Sequence, residues 1–298
     1  MNQTAEGPPE DDEEDEDRSQ SVAAILAGSD GSLLVDLVTT DYEYFESHLL
    51  PITDIDDEGD PDDDGEPPFY HCENWLTGLC RSPSGFVFAC DADGNVHHNA
   101  AGRWVQEPVT PGQGLRVIRA LPDGTILTAG TAGTVHLRGA AGWASLGDSF
   151  GQWITGMDGS SAEDFAICGD GGLLALRRGA RWERPELPTD GTLNAVLALQ
   201  GSYLVGGAGG VLFRGAGDVW LDQSGEIGIH GLARQGNTVW AACGTEGAAT
   251  IAADGRVEIV NDNFAAYALD AAGKFVAFAG NDMAVRFDGA DWLGRGYA

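Results

Sequence analysis

The stretch "DPDDDGEPPFYH" (60–71) holds the residues best spaced for chemistry. Asp60, Asp62, Asp64 and Gly65 match the first half of a calcium loop of the D-x-D-x-D-G type, whose alternate residues turn oxygens toward one ion. The twelfth position of such a loop needs a bidentate Glu; here it is His71, and Pro67 and Pro68 occupy the second half. A plain solvated acidic loop is therefore preferred to a calcium site, and no metal or cofactor is expected. His71, Cys72 and Cys80 stand at looser spacing than the ligand pairs of a zinc site. His97 and His136 fall at one place in a repeat set out below, with His98 on the opposite face from His97. All three read as sheet-surface residues. His230 would sit on an innermost strand and line a channel, with no nucleophile or carboxylate motif beside it to make it a general base. Arg177, Arg178, Arg181 and Arg184 are the one concentration of base, expected at a solvated edge or paired with the chain's own acids.

These residues are positioned by an internal repeat. Small residues recur at Cys90, Ala129, Cys168, Gly206, Cys243 and Ala279, at spacings of 39, 39, 38, 37 and 36. Four positions later stand Gly94, Gly133, Gly172, Gly210, Gly247 and, exceptionally, Met283. Further on come Trp104, Trp143, Trp182, Trp220, Val257 and Trp292. Each unit opens on an apolar residue: Leu76, Leu115, Ile154, Leu193, Ile229 and Ala266. In the second unit "LRVIRAL", "GTILTAG", "TVHLRG" and "GWASL" read as four short strands parted by turns, the make-up of a propeller blade. The mostly small third position of the first strand (Gly78, Val117, Gly156, Ala195, Gly231, Ala268) suits strands that converge on one axis. The Cys column then needs only a small apolar side chain.

"VAAILAGSDGSLLVDL" (22–37) reads as strands two to four of a further blade, with Ala27 in the small column and Gly31 in the Gly column. Its first strand would fall in the acidic run. Ring closure would then come from "WLGRGYA", or that blade would have three strands. The expected fold is all-β, a single β-propeller with seven blades favoured over six, spanning 21–298. An acidic tail (1–20) read as disordered precedes it, and an acidic loop at 51–68 lies between blades one and two.

"CGDGGLLALRRGARW", "AGTAGTVHLRGAAGW" and "AGNDMAVRFDGADW" resemble the bacterial propeller repeats of the photosystem assembly-factor type, related to WD/YVTN/BNR-like propellers. The resemblance covers about residues 70–298 and implies the fold. It implies little about function, because that repeat group serves as a binding scaffold in many settings. The Asp-box of sialidase-like propellers and the G-H and W-D pairs of WD-repeats are not formed.

Charge narrows the function. The net charge is −31, and residues 1–73 hold 24 of the 47 acids with one base, Arg18. Such a surface repels nucleic acid and anionic membranes and attracts basic proteins. The five Cys, without close pairs, fit a reducing compartment. No apolar run is long enough to span a bilayer, and the N-terminus lacks the apolar core of a secretory signal, so a cytoplasmic location is expected. With no catalytic constellation in the sequence, the expectation is a monomeric, non-enzymatic propeller that binds a basic protein. An immunity protein neutralising a basic toxin is the concrete instance, with Asp54, Asp56, Asp57, Glu58, Asp60, Asp62, Asp63 and Asp64 as contact residues. An assembly factor or scaffold is the alternative, as is a hydrolase or lyase acting at the channel mouth.

Overall fold

Each strand pattern follows from what covers it. "VFACD" and "ILTAG" are buried along their whole length, and each is a second strand sandwiched between its own neighbours in the sheet and the faces of adjoining blades. The outermost "VEIVN" alternates between half-buried and exposed, as a strand with one wet face must. The computed structural model describes residues 18–41, 43–53, 55 and 68–297. Among these it contains seven four-stranded antiparallel sheets and no α-helix, only two short 3-10 turns.

Blade one is β1 (Ser19–Ala27), β2 (Leu33–Thr40), β3 (Phe45–Ile52) and β4 (Tyr70–Cys72); blade two is β5 (Leu76–Arg81), β6 (Val87–Asp91), β7 (Asn95–His98) and β8 (Val105–Pro108). Blade three runs from β9 (Leu115–Ala120) to β12 (Gly142–Ser145), blade four from β13 (Ile154–Ser161) to β16 (Arg181–Glu183) and blade five from β17 (Leu193–Leu199) to β20 (Val219–Asp222). Blade six runs from β21 (Gly231–Gln235) to β24 (Val257–Asn261), and blade seven from β25 (Ala268–Ala272) to β28 (Trp292–Gly296). The inner strands pack in the order β1, β5, β9, β13, β17, β21, β25, and β25 returns onto β1. The chain is a seven-bladed β-propeller.

The small column faces the small third position across the first hairpin of each blade. Gly78 pairs with Cys90, Val117 with Ala129, Gly156 with Cys168, Ala195 with Gly206 and Ala268 with Ala279. In blade six the pair slips by one, to Gly231 with Ala242. Volumes are complementary: a Cβ on Gly156 would stand 2.8 Å from the Cys168 sulfur. Burial pushes the Cys90 and Cys168 thiols up to about 12, so these are unreactive packing groups. The Gly column sits in left-handed turns; a Cβ on Gly94 (φ 92) would lie 2.0 Å from the Thr110 carbonyl oxygen. Each repeat Trp is half-buried and covers the seam with the preceding blade, as Trp182 does against Phe150 and Phe165.

Blade one differs from the expectation. Ser19–Ala27 is a complete innermost strand, so Ala27 ends strand one, and Gly31 (φ 95) lies in the first turn. Asp36 takes the small-column place, paired with Ala24. The turn "GSDGS" looks like the second turn of other blades, where an apolar strand also precedes a Gly, which shifts the reading by one strand. Closure uses neither a mixed sheet nor a three-stranded blade. Blades seven and one meet face to face through Val22, Val35, Leu37, Ala277, Ala279 and Tyr297. Across this seam the Val22 amide donates to the Asn281 carbonyl at 2.9 Å, and the Ala27 amide to Asp270 Oδ2 at 2.9 Å. β3 pairs with β4, so the segment joining them, 53–69, belongs within blade one rather than between blades one and two.

Candidate functional site

Every inner strand starts at one face of the ring, here the upper face, and ends at the other. At the upper rim the second residue of an inner strand reaches the next blade. Thr77 Oγ1 donates to the Leu115 carbonyl at 2.8 Å, Thr155 Oγ1 to the Leu193 carbonyl at 2.6 Å, and Asn194 Nδ2 to the Ile229 carbonyl at 2.9 Å. The equivalent residue of blade three is Arg116. Its guanidinium lies 5.8 Å from the Trp75 ring centroid and 5.2 Å from that of Trp153, the residues preceding β5 and β13. Trp75 stacks in turn on Phe45, with centroids 5.1 Å apart and planes 11° from parallel. Across the mouth, His230 is exposed and stands edge-on to Tyr267 at 5.2 Å; partial burial holds its imidazole below the ordinary histidine range.

Beside this aromatic row, between the upper ends of blades one and two, lies a groove of about 660 Å³. Its walls carry four carboxylates (Glu43, Glu46, Glu73, Asp93), one base (Arg18) and three rings (Tyr44, Phe45, Trp75). Tyr44 is 73% exposed. Asn74 Nδ2 fixes Asp93 at 2.7 Å.

The lower mouth has a different chemistry. A cavity of about 500 Å³ there holds Arg81, Arg119 and Arg234 with Asp158 and Asp270. Three of these charges, Arg119, Asp158 and Asp270, are spent on the frame. Arg119 bonds Asp158 at 3.0 and 3.1 Å, and the second oxygen of Asp158 accepts the Ala198 amide at 2.7 Å. Asp270 holds the Ala27 amide at the closing seam, and burial raises its carboxyl despite the pull of Arg119 and Arg81.

His97, His98 and His136, expected at the sheet surface, are not exposed. His97 is fully buried between blades one and two: its Nε2 meets Asp91 Oδ2 at 2.8 Å and its Nδ1 meets the Tyr70 hydroxyl at 2.8 Å. Burial would raise the Asp91 carboxyl, but bonds from His97 and Asn95 hold it below its ordinary value. An ionised Asp91 therefore accepts from His97 Nε2–H, and Nδ1 accepts from Tyr70. Burial takes the Tyr70 phenol up to about 12, so it keeps its proton. The set has the order of a catalytic relay but no access to a substrate; it is a strut. His98, facing blade three, is buried against Glu107 at 3.1 Å and Arg138 at 3.2 Å. His136 is half-buried. Of the Arg cluster, Arg178 pairs with Asp164, Arg177 lies over Trp182 at 5.2 Å and Arg184 over Phe150 at 4.4 Å.

Asp54, Asp56, Asp57, Glu58, Asp60, Asp62, Asp63 and Asp64 lie outside the described residues, and with them the calcium half-loop. His71 stands in strand β4 opposite His48. The sequence reading missed Trp75, Arg116 and Trp153. The available signal was a Trp just before the inner strand in units two blades apart.

Solved propellers share this frame. Virginiamycin B lyase from Staphylococcus aureus, as its selenomethionine-substituted form, superposes with a TM-score of 0.67 at 10% identity, covering 93% of this chain and 97% of that one. A catalytically inactive histidine-to-alanine form of the same lyase with quinupristin gives 0.65 at 8%, covering 94% and 95%. No protein-family model matches the chain, and no curated protein matches it. At such identity the likeness establishes the ring alone, without the photosystem assembly-factor name. It also corrects the expectation that the chain is not an enzyme. That expectation rested on the want of a linear motif, and these solved rings of the same architecture are lyases. In a propeller, groups at the mouth come from separate blades, so no local motif announces them. Among the described residues no helix is long and apolar enough to cross a membrane.

Proposed function

We propose that the upper groove binds a cationic segment of a protein partner, with neutralisation of a basic toxin as the concrete instance. One observation carries the reading: four carboxylates and three aromatic rings line a single groove. Carboxylates attract Lys and Arg side chains, and ring faces hold cations by their quadrupole. Trp75 already accepts the guanidinium of Arg116 on such terms. The acidic segment 54–66 would steer the approach at long range. Titration with an Arg-rich peptide should quench Trp75 fluorescence. Glu43→Gln, Glu73→Gln and Asp93→Asn together should weaken binding by about tenfold or more at low salt and much less at high salt, where the screening length shortens. Equal affinity of that triple variant, or equal binding of an acidic peptide, would overturn the reading.

The second reading, lyase or hydrolase chemistry at the same mouth, is favoured by His230, an exposed imidazole held below the ordinary histidine range beside a phenol. Turnover of virginiamycin B that is lost in His230→Ala would carry it, and its absence would remove that substrate.

A further inference from the structure

Glu46, His48 and His71 form a cluster of their own on blade one. His48 and His71 are direct partners across β3 and β4, and Glu46 lies two residues before His48 on the same face. The imidazoles stack with centroids 4.6 Å apart and planes 15° from parallel. One nitrogen from each ring and one Glu46 oxygen all lie within 4.8 Å of one another. Among the described residues, no hydrogen bond or ion pair engages either ring. By contrast, His97 and His98 are both fully partnered. Beyond their stacking on each other, these two adjacent imidazoles, on a strand pair that carries a carboxylate at the same face, have no bonding role that the fold supplies.

We propose that Glu46, His48 and His71 bind a divalent transition-metal ion, with Zn²⁺ the best match. Nitrogen donors disfavour Ca²⁺ and Mg²⁺, which take all-oxygen shells, and two imidazoles with a carboxylate suit zinc. Zinc bonds of about 2.0–2.1 Å in a tetrahedron put donors roughly 3.4 Å apart. The donors must therefore close by about 1.5 Å at most from the 4.8 Å envelope. His71 is exposed, so the closure would come from rotation of its side chain out of the stack. Three protein ligands leave a coordination position open, as in zinc sites that take water or a ligand. Glu46 also lines the upper groove, so the ion would sit at the groove's outer wall. The site does not depend on what the groove binds.

The test uses the full chain and Zn²⁺ alone, titrated by calorimetry in excess Ca²⁺ so that the acidic segments are already occupied by a hard cation. One saturable Zn²⁺ site is expected. His71→Ala and His48→Ala should each weaken it by at least about tenfold, since loss of even an outer-shell partner of a metal ligand costs about that much. Substituting Co²⁺ should give a visible absorption band that the same variants lose. His71 is exposed, so His71→Ala should melt like wild type without metal; if it does not, His71→Gln replaces it. Absence of a saturable site in excess Ca²⁺, or an affinity unchanged in the histidine variants, would overturn the proposal.

Discussion

Blades one and four present the same slot and fill it in opposite ways. In blade four, Cys168 faces Gly156, both belong to dry seams, and the sulfur occupies the space a Cβ would need. In blade one the slot holds Asp36, fully buried opposite Ala24, with no hydrogen bond of ordinary geometry to either oxygen. Burial pushes its carboxyl well above the usual range, against a lesser opposing pull from Ser47, so the fold favours its protonated form. The regular blade is built for packing. The irregular one gathers polar groups: Asp36, the Tyr70 end of the buried strut, the paired imidazoles and half of the upper groove. Departures from a repeat's own rules mark where something other than stability has been selected.

The largest effect should come from spoiling the regular slot. Gly156→Val drives side-chain atoms into the Cys168 sulfur and the Asn194 carbonyl, 2.8 and 3.0 Å from where even a Cβ would lie. It should destabilise by about 3 kcal/mol in a urea melt; a loss below about 1 kcal/mol would mean that the slot is not tight. Next, Asp36→Ala should stabilise by about 2 kcal/mol near pH 8, because it removes a buried carboxyl that no hydrogen bond of ordinary geometry satisfies. The native carboxyl titrates above its unfolded value, so between the two the folded state binds more protons. Wild-type stability therefore falls as pH rises through that window. The gain from Asp36→Ala should shrink toward pH 4, and a gain independent of pH would break the comparison. The smallest effect is expected from Tyr70→Phe, which leaves His97 Nδ1 without a donor and should cost about 1 kcal/mol, read as a lowered melting temperature.

The ring was legible because each unit repeats the same volumes at nearly the same interval, and packing between identical neighbours demands that. Blade one was legible as a blade but displaced by a strand, because "GSDGS" obeys the chemistry of two different turns. The upper site was not legible. Trp75, Arg116 and Trp153 come from three blades, and only the ring's curvature brings them side by side. The partner of His97, Tyr70, lies 27 residues away on another blade, with no local pattern to link them. The acids expected to bind a partner stand out by density of charge and lie outside the described residues, whereas Glu43, Glu46, Glu73 and Asp93, which line the groove, are scattered through ordinary sequence.

The closing seam behaves as a clasp and not as a weave. Among the described residues no blade shares a strand between distant parts of the chain, and blade seven meets blade one through an apolar face, an amide-to-carbonyl bond at Val22, the grip of Asp270 on Ala27 and the reach of Arg286 to Gly31. Parting the ring there leaves every four-stranded ladder whole. The circle would unfasten as a strap does, with blade one still buckled to blade two by the Tyr70–His97 strut, so that the imidazole pair and both walls of the groove stay together.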